Sequence, residues 1–86
     1  MADHDRLTYH VVQAYQRTEE GWIADEPWSG QTAGVVQARA AVLATMRTYV
    51  IAFSRTGDTQ LGEFEEPTVL AEYGTPPPEN DEFATW

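Results

Sequence analysis

The sequence contains no cysteine, no lysine and only two histidines among its 86 residues. Without cysteine the chain has no disulfide, thiolate metal site or cysteine nucleophile, so its stability depends on packing. The longest apolar region, residues 35–53, is interrupted by Arg39 and Arg47, and the first ten residues are polar. Neither a membrane-spanning helix nor a secretory signal is predicted. We therefore expect a cytoplasmic protein.

Catalytic patterns are scarce as well. His4 and His10 are the only imidazoles, and the sequence has no HExxH motif, no phosphate-binding glycine loop and no EF-hand loop. Pairs of adjacent carboxylates do occur, among them those at residues 19–20, 25–26 and 65–66. Adjacent residues of a strand point to opposite faces, so these pairs are expected to face solvent or a partner. We predict no enzyme, no cofactor and no resident metal.

One terminal motif could still bind a metal adventitiously. If Met1 is removed, Ala2, Asp3 and His4 present an amine, two amides and an imidazole. This set suits square-planar Cu(II) or Ni(II). On a loose terminus such a site is expected to be adventitious.

The chain is strongly acidic, with 14 Asp and Glu, five Arg and a formal net charge of −9. Such a charge repels the phosphate backbone, which disfavours direct DNA or RNA binding and favours a basic protein partner. No acid lies between Pro27 and Gly57, where three arginines lie. We expect Arg39, Arg47 and Arg55 to pair with carboxylates on neighbouring elements.

The first part of the chain predicts a β-hairpin. Residues 7–17 are rich in β-branched and aromatic side chains that alternate, with a break at Gln13. Gly21 can supply the positive φ of a tight turn before Trp22 resumes the β pattern. The two strands should therefore pair antiparallel, and Trp28, after Pro27, should fold back onto the core.

Helical spacing then predicts one long helix over residues 32–54, with Thr32 or Ser29 as its cap and Gly57 as its stop. Val36, Leu43 and Val50 would form one stripe. The alternative is a break near residue 48, because residues 49–53 are also typical of a strand, with a hairpin through residues 56–58. Residues 60–73 predict one or two further strands, with Pro67 at an edge or a break.

The predicted fold class is α+β, a small antiparallel sheet in the order β-β-α-β packed on one long helix. Its organisation is a flexible terminus (residues 1–6), one domain (7–73) and a disordered, proline-rich acidic tail (74–86). Phe83 and Trp86, three residues apart in the tail, could enter a partner's groove. The candidate partner-binding residues are acids and aromatics: Glu19, Glu20, Trp22, Asp25, Glu26, Trp28, Glu63, Glu65, Phe83 and Trp86.

The segments YHVVQAY, EEGWIADEP, SGQT and VVQARAAVLATMRTYV, over about residues 8–52, resemble the amino-terminal domain of HicB-like antitoxins. The carrying residues include Val11 and Val12, Gly21 and Trp22, and Thr32. The resemblance implies a truncated double-stranded-RNA-binding fold and a small basic RNase toxin as partner. The loop after Pro27 is shorter than in the family, and residues 57–86 cannot encode its operator-binding domain.

The leading functional hypothesis is therefore an antitoxin-like acidic module that covers a basic protein. A second is a mimic of nucleic acid that blocks a DNA- or RNA-processing machine, with carboxylates spaced like phosphates along one face. A third is a structural homo-oligomer, in its simplest form a homodimer, in which the stripe of Val36, Leu43 and Val50 forms the interface.

Overall fold

The computed structural model describes residues 6–58 and 60–78 of the chain. These residues form one antiparallel sheet, curled into a half-barrel, and one helix. In chain order the elements are β1 (Arg6–Thr18), β2 (Gly21–Ala24), β3 (Trp28–Gly30), α1 (Ala33–Leu43), β4 (Tyr49–Asp58), β5 (Glu63–Phe64) and β6 (Thr68–Gly74). β1 and β4 are central, β2 and β3 pair with β1, and β5 and β6 pair with β4. The helix packs on one face of this sheet.

The predicted hairpin is confirmed. β1 and β2 pair antiparallel from Tyr15 opposite Ala24 to Thr18 opposite Gly21. Gly21 has a φ of +126°, a value that side chains with a Cβ rarely adopt. Trp28 also folds back onto the core, as predicted, because its place opposite Val12 aims it toward the helix.

The predicted long helix is wrong, and with it the fold class of a sheet packed on one long helix. The helix begins after Thr32, one of its two predicted caps, whose Oγ1 accepts a hydrogen bond from the Val35 N–H at 3.1 Å. It ends at Leu43, however, and residues 49–58 form the central strand β4. The molecule is mainly β with one short helix. The alternative of a strand from residue 49 is the correct one, although its turn follows Asp58.

Local chemistry explains where the helix ends. Residues 48–51 are β-branched or aromatic, and such side chains lose rotamer freedom in a helix and fit a pleated sheet. Thr45 donates its hydroxyl hydrogen to the Val42 carbonyl at 2.8 Å, which favours a turn. Thr48 then donates its N–H to the Tyr15 carbonyl at 3.0 Å and aligns the chain for pairing with β1.

The hydrophobic core lies between α1 and the face of β1 and β4 that it covers. Its buried members are Val12, Ala14, Val36, Ala40, Val50 and Ala52. Alanines on both sides of the interface let the helix approach the sheet closely. Val36 and Val50, predicted to form an intermolecular stripe with Leu43, are both fully buried within one chain, and Leu43 packs against the same cluster. The predicted dimer interface is therefore not available.

The opposite face of the sheet is rich in aromatic rings, and we call it the aromatic face. Five consecutive residues of β1, at positions 11–15, are buried, so the centre of the sheet is shielded on both faces. Tyr15 and Tyr49 lie beside each other on the aromatic face with ring centroids 5.9 Å apart. Gln13, which broke the apolar alternation, is buried there and donates its side-chain amide to the Asp25 carbonyl at 2.5 Å.

The C-terminal half adds two strands on the far side of β4, with Pro67 between them as predicted. Gly57 is not a helix stop. It lies buried in β4 opposite Phe64, where an added Cβ would meet the Phe64 ring and the Glu63 carbonyl. β1 begins at Arg6 and β6 ends at Gly74, one residue beyond each predicted domain boundary. No helix within the described part of the chain is long and apolar enough to cross a membrane.

Candidate functional site

The β1–β2 turn and the proline segment line one open cleft of about 550 Å³, which we call the hairpin cleft. Its lining residues are Arg17, Thr18, Glu19, Glu20, Gly21, Trp22, Thr75, Pro76 and Pro78. Three predicted partner-binding residues, Glu19, Glu20 and Trp22, are thus brought together. The proline residues were not predicted to contribute to the domain surface.

Local bonds hold the turn of the hairpin cleft. The Thr18 hydroxyl donates to the Gly21 carbonyl at 2.9 Å and accepts from the Glu20 N–H at 3.2 Å. This side-chain turn leaves Glu19 and Glu20 exposed at the tip. Trp22 is half-buried, and the Arg17 guanidinium carbon lies 5.8 Å from its ring centroid. The cleft therefore combines an aromatic surface with two carboxylates and one cation.

The proline segment approaches the sheet instead of standing away from it. Residues 75–78 follow β6 without regular secondary structure, and Pro77 is buried. Pro76 and Pro78 form a wall of the hairpin cleft, which Trp22 and the turn also line. A proline wall is stiff because the φ angle of proline is restricted, so this side of the cleft is largely preformed.

Three other predicted residues lie on the same half of the molecule but outside the hairpin cleft. Asp25 accepts a hydrogen bond from the Arg47 Nε at 2.8 Å, in an ion pair whose partners are each one-third exposed. Trp28 packs on the core with the Arg39 guanidinium carbon 4.8 Å from its ring centroid. These contacts give Asp25 and Trp28 structural roles, whereas Glu26 is exposed.

Glu63 and Glu65 lie far from the hairpin cleft, because β5 pairs with the end of β4 that faces Arg6. The twelve residue steps of β1 span about 40 Å between the two ends. Both glutamates are exposed, and Glu65 forms an ion pair with Arg6. The predicted acidic surface is therefore split between two ends of the sheet. Phe83 and Trp86, and the motif at residues 2–4, lie outside the described residues.

A second cleft, of about 230 Å³, lies on the aromatic face, and we call it the aromatic cleft. It is lined by Tyr9, Val11, Phe53, Arg55 and Phe64. Tyr9 and Val11 lie opposite Arg55 and Phe53 in the β1–β4 pairing. This cleft was not predicted from the sequence, because Phe53 was assigned to a helix. The signal was the alternation of Tyr49, Ile51 and Phe53, which a strand places on one face.

Of the three arginines predicted to pair with carboxylates, Arg47 does so and the other two lie over aromatic rings. Arg39 lies over Trp28, and the Arg55 guanidinium carbon lies 5.2 Å from the Phe64 ring centroid. Within the described ranges, the ion pairs are Arg6 with Glu65 and Arg47 with Asp25. A ring attracts the positive charge of a guanidinium that stacks on it, but it provides no acceptor for the guanidinium N–H groups.

Tyr49 is the titratable group that the fold perturbs most clearly. Burial, and then the hydrogen bond that its phenol donates to the Glu72 carboxylate at 2.5 Å, raise the pKa of Tyr49 above its ordinary value. A phenol held protonated is not a nucleophile or a general base at neutral pH. This contact links β4 to β6 and is structural.

No group of three or more His, Asp or Glu side chains placed to hold a metal occurs in residues 6–58 and 60–78. The fold and its two clefts define a small, mainly β protein with an open cleft lined by acidic and aromatic side chains at one end of the sheet. Comparison with known proteins finds no matching family model, curated protein or solved structure.

Proposed function

We propose that this chain is a non-catalytic, antitoxin-like protein-binding module that covers the surface of a basic protein partner. The hairpin cleft carries the proposal, because it brings Glu19, Glu20 and Trp22 into one preformed site. A tryptophan flanked by carboxylates matches the chemistry of a lysine or arginine side chain, whose stem packs on the ring and whose charge meets the acids. The partner implied by the HicB resemblance is a small basic RNase.

Charge, the tryptophan and the prolines would contribute to binding in different ways. Net charge of −9 accelerates encounter with a cationic surface, and salt reduces this effect. Further burial of Trp22, which is half-buried in the free chain, provides the central apolar contact. Pro76 and Pro78 cost little entropy on binding, since their backbone is already restricted. We assign the cytoplasm as the place of action.

Capture from source-cell lysate after nuclease treatment tests the proposal. The bait is the tagged full chain, compared with Glu19→Gln/Glu20→Gln, which removes both charges of the exposed turn without changing side-chain size. Glu63→Gln/Glu66→Gln is the matched control, because it removes two exposed charges at the opposite end of the sheet. We expect one basic protein at stoichiometric yield with the full chain and the control, and at least ten-fold less with the turn variant.

Three results would contradict the proposal. Equal capture by the turn variant would remove the hairpin cleft from the interface. Capture of a large nucleic-acid enzyme would favour the nucleic-acid mimic. Recovery of the chain alone would favour a homo-oligomer that uses a surface other than the stripe of Val36, Leu43 and Val50. A second expected outcome concerns the rate of binding to the isolated partner. Stopped-flow measurements should show an association rate that falls as the salt concentration rises.

A further inference from the structure

Arg55 lies in the aromatic cleft and has no carboxylate partner among the described residues. Its Nε is shielded from solvent and has no hydrogen-bond partner among the described residues. The two ion pairs among the described residues involve Arg6 and Arg47 and not Arg55. A shielded N–H of a cationic group is costly unless it meets an acceptor. Among the residues that line the cleft, Arg55 is therefore the one that needs an additional hydrogen-bond acceptor.

The register of the sheet explains why nearby acids do not serve Arg55. Phe64 lies opposite Gly57 and shares the aromatic face with Arg55. Glu63 precedes Phe64 in the same strand, so its side chain points to the other face. Glu65, on the other side of Phe64, is bound to Arg6. A carboxylate on a molecule that enters the cleft would supply the acceptor that these described acids do not.

The other walls define the body of that molecule. Tyr9 and Phe64 lie with ring centroids 6.0 Å apart at an interplanar angle of 39°, and Val11 and Phe53 close the floor at 8% and 7% exposure. A volume of about 230 Å³ has room for one ring system. Tilted aromatic walls favour an aromatic ring over an aliphatic chain.

We infer that the aromatic cleft binds a small aromatic carboxylate. Its ring lies among Tyr9, Val11, Phe53 and Phe64, and its carboxylate accepts hydrogen bonds from the guanidinium of Arg55, which can present two parallel N–H donors to two oxygens. The cleft is separate from the hairpin cleft, so this site stands or falls independently of the proposed partner.

Titration of the isotope-labelled full chain with phenylacetate, followed by amide and side-chain NMR shifts at 0.15 M salt, tests the inference. We expect a dissociation constant of about 1 mM, the order reached by a ligand of about ten non-hydrogen atoms. The shifts should centre on residues 9, 11, 53, 55 and 64. Phenethylamine keeps the ring but reverses the charge, and acetate lacks the ring. Each should bind at least ten-fold more weakly.

Variants separate the site from general attraction to cations. Arg55→Gln should weaken phenylacetate binding about ten-fold, because it removes the charged donor. Arg55→Lys keeps the charge without the planar fork and should weaken phenylacetate binding a few-fold. This variant tests the site even if Arg55→Gln does not fold. Arg39→Gln is the matched control, since Arg39 also lies over a ring but outside the cleft. Equal binding of phenethylamine, equal losses in Arg39→Gln and Arg55→Gln, or shifts centred elsewhere would overturn the inference.

Discussion

Tyr49 illustrates how a single residue ties the sheet together. It is the first residue of β4, its ring lies beside Tyr15 of β1, and its phenol donates to Glu72 of β6. One side chain thus joins three strands on the aromatic face. Because the contact needs the phenol proton, its contribution to stability depends on pH.

The alkaline limb of the stability curve should report on Tyr49. An unfolded tyrosine ionises near pH 10, whereas the folded pKa of Tyr49 is raised, so above about pH 10 the folded state holds a proton that the unfolded state has lost. The contribution is fully present below about pH 10 and is lost as pH rises further. It reaches a slope of about 1.4 kcal/mol per pH unit.

Urea unfolding of the full chain and of Tyr49→Phe between pH 8 and 11 measures this effect. We expect the variant to be about 1 kcal/mol less stable at pH 8 and to lose less stability toward pH 11. Tyr9→Phe is the control, because Tyr9 is 39% exposed and no described contact buries its hydroxyl against an acid. Parallel pH curves for the chain and Tyr49→Phe would be inconsistent with the assignment.

At the scale of elements, residues 43–49 decide the fold. Val36, Leu43 and Val50 recur at intervals of seven, which suits one helix, yet Val36 and Val50 enter the same core from a helix and a strand. A short apolar run satisfies both periods, so periodicity alone could not choose. Pairing with β1 decides between helix and strand. β1 pairs with ten residues of β4, and a longer helix would lose the hydrogen bonds of this pairing.

Two glycines test two parts of the fold. Gly34 lies in the first turn of α1, which was predicted, and Gly57 lies in β4, which was not. Gly57→Ala should destabilise the chain by about 1–3 kcal/mol, since its Cβ would enter Phe64 and the backbone of residue 63. Gly34→Ala should stabilise it by up to about 1 kcal/mol, because Gly34 lies in α1 with open space around it.

Chemical denaturation of both glycine variants provides the measurement. The pair is matched, since each adds one methyl group to the chain. A harmless Gly57→Ala would argue against the pairing of β5 with β4. A destabilising Gly34→Ala would argue against the first turn of the helix.

For the whole molecule, the arrangement of charge matters more than its total. The described acids are concentrated at the two ends of β1, around Glu19 and Glu20 and around Glu63 to Glu66, and the described ion pairs are exposed or partly exposed. Such pairs contribute little to stability. Repulsion among the remaining carboxylates should therefore outweigh them at low salt.

Salt should stabilise the folded chain. Raising NaCl from 0.02 to 0.5 M at pH 7 screens the excess negative charge, and we expect the Tm to rise by roughly 4 °C, corresponding to about 1 kcal/mol. The gain should be smaller in Glu63→Gln/Glu66→Gln, which already has two fewer charges. A fall in Tm, measured by calorimetry, would mean that the ion pairs dominate.

The sites were predictable to different degrees. Glu19, Glu20 and Trp22 are close in sequence on a local hairpin, so a local pattern was sufficient to bring them together. The proline wall and the aromatic cleft were not predictable, because each joins segments distant in sequence through the register of β1 with β4 or through the path of the chain after β6.

Composition and local pattern alone determine that this chain lacks cysteine chemistry, carries a charge of −9, starts with an antiparallel hairpin and has a helix that begins near Thr32. These properties depend on residue identity or on contacts a few positions apart. The end of the helix, the central place of β4 and the surroundings of Arg55 depend on long-range pairing. Tertiary structure decides them, because the free energy of strand pairing and burial exceeds the small difference in local propensity between helix and strand.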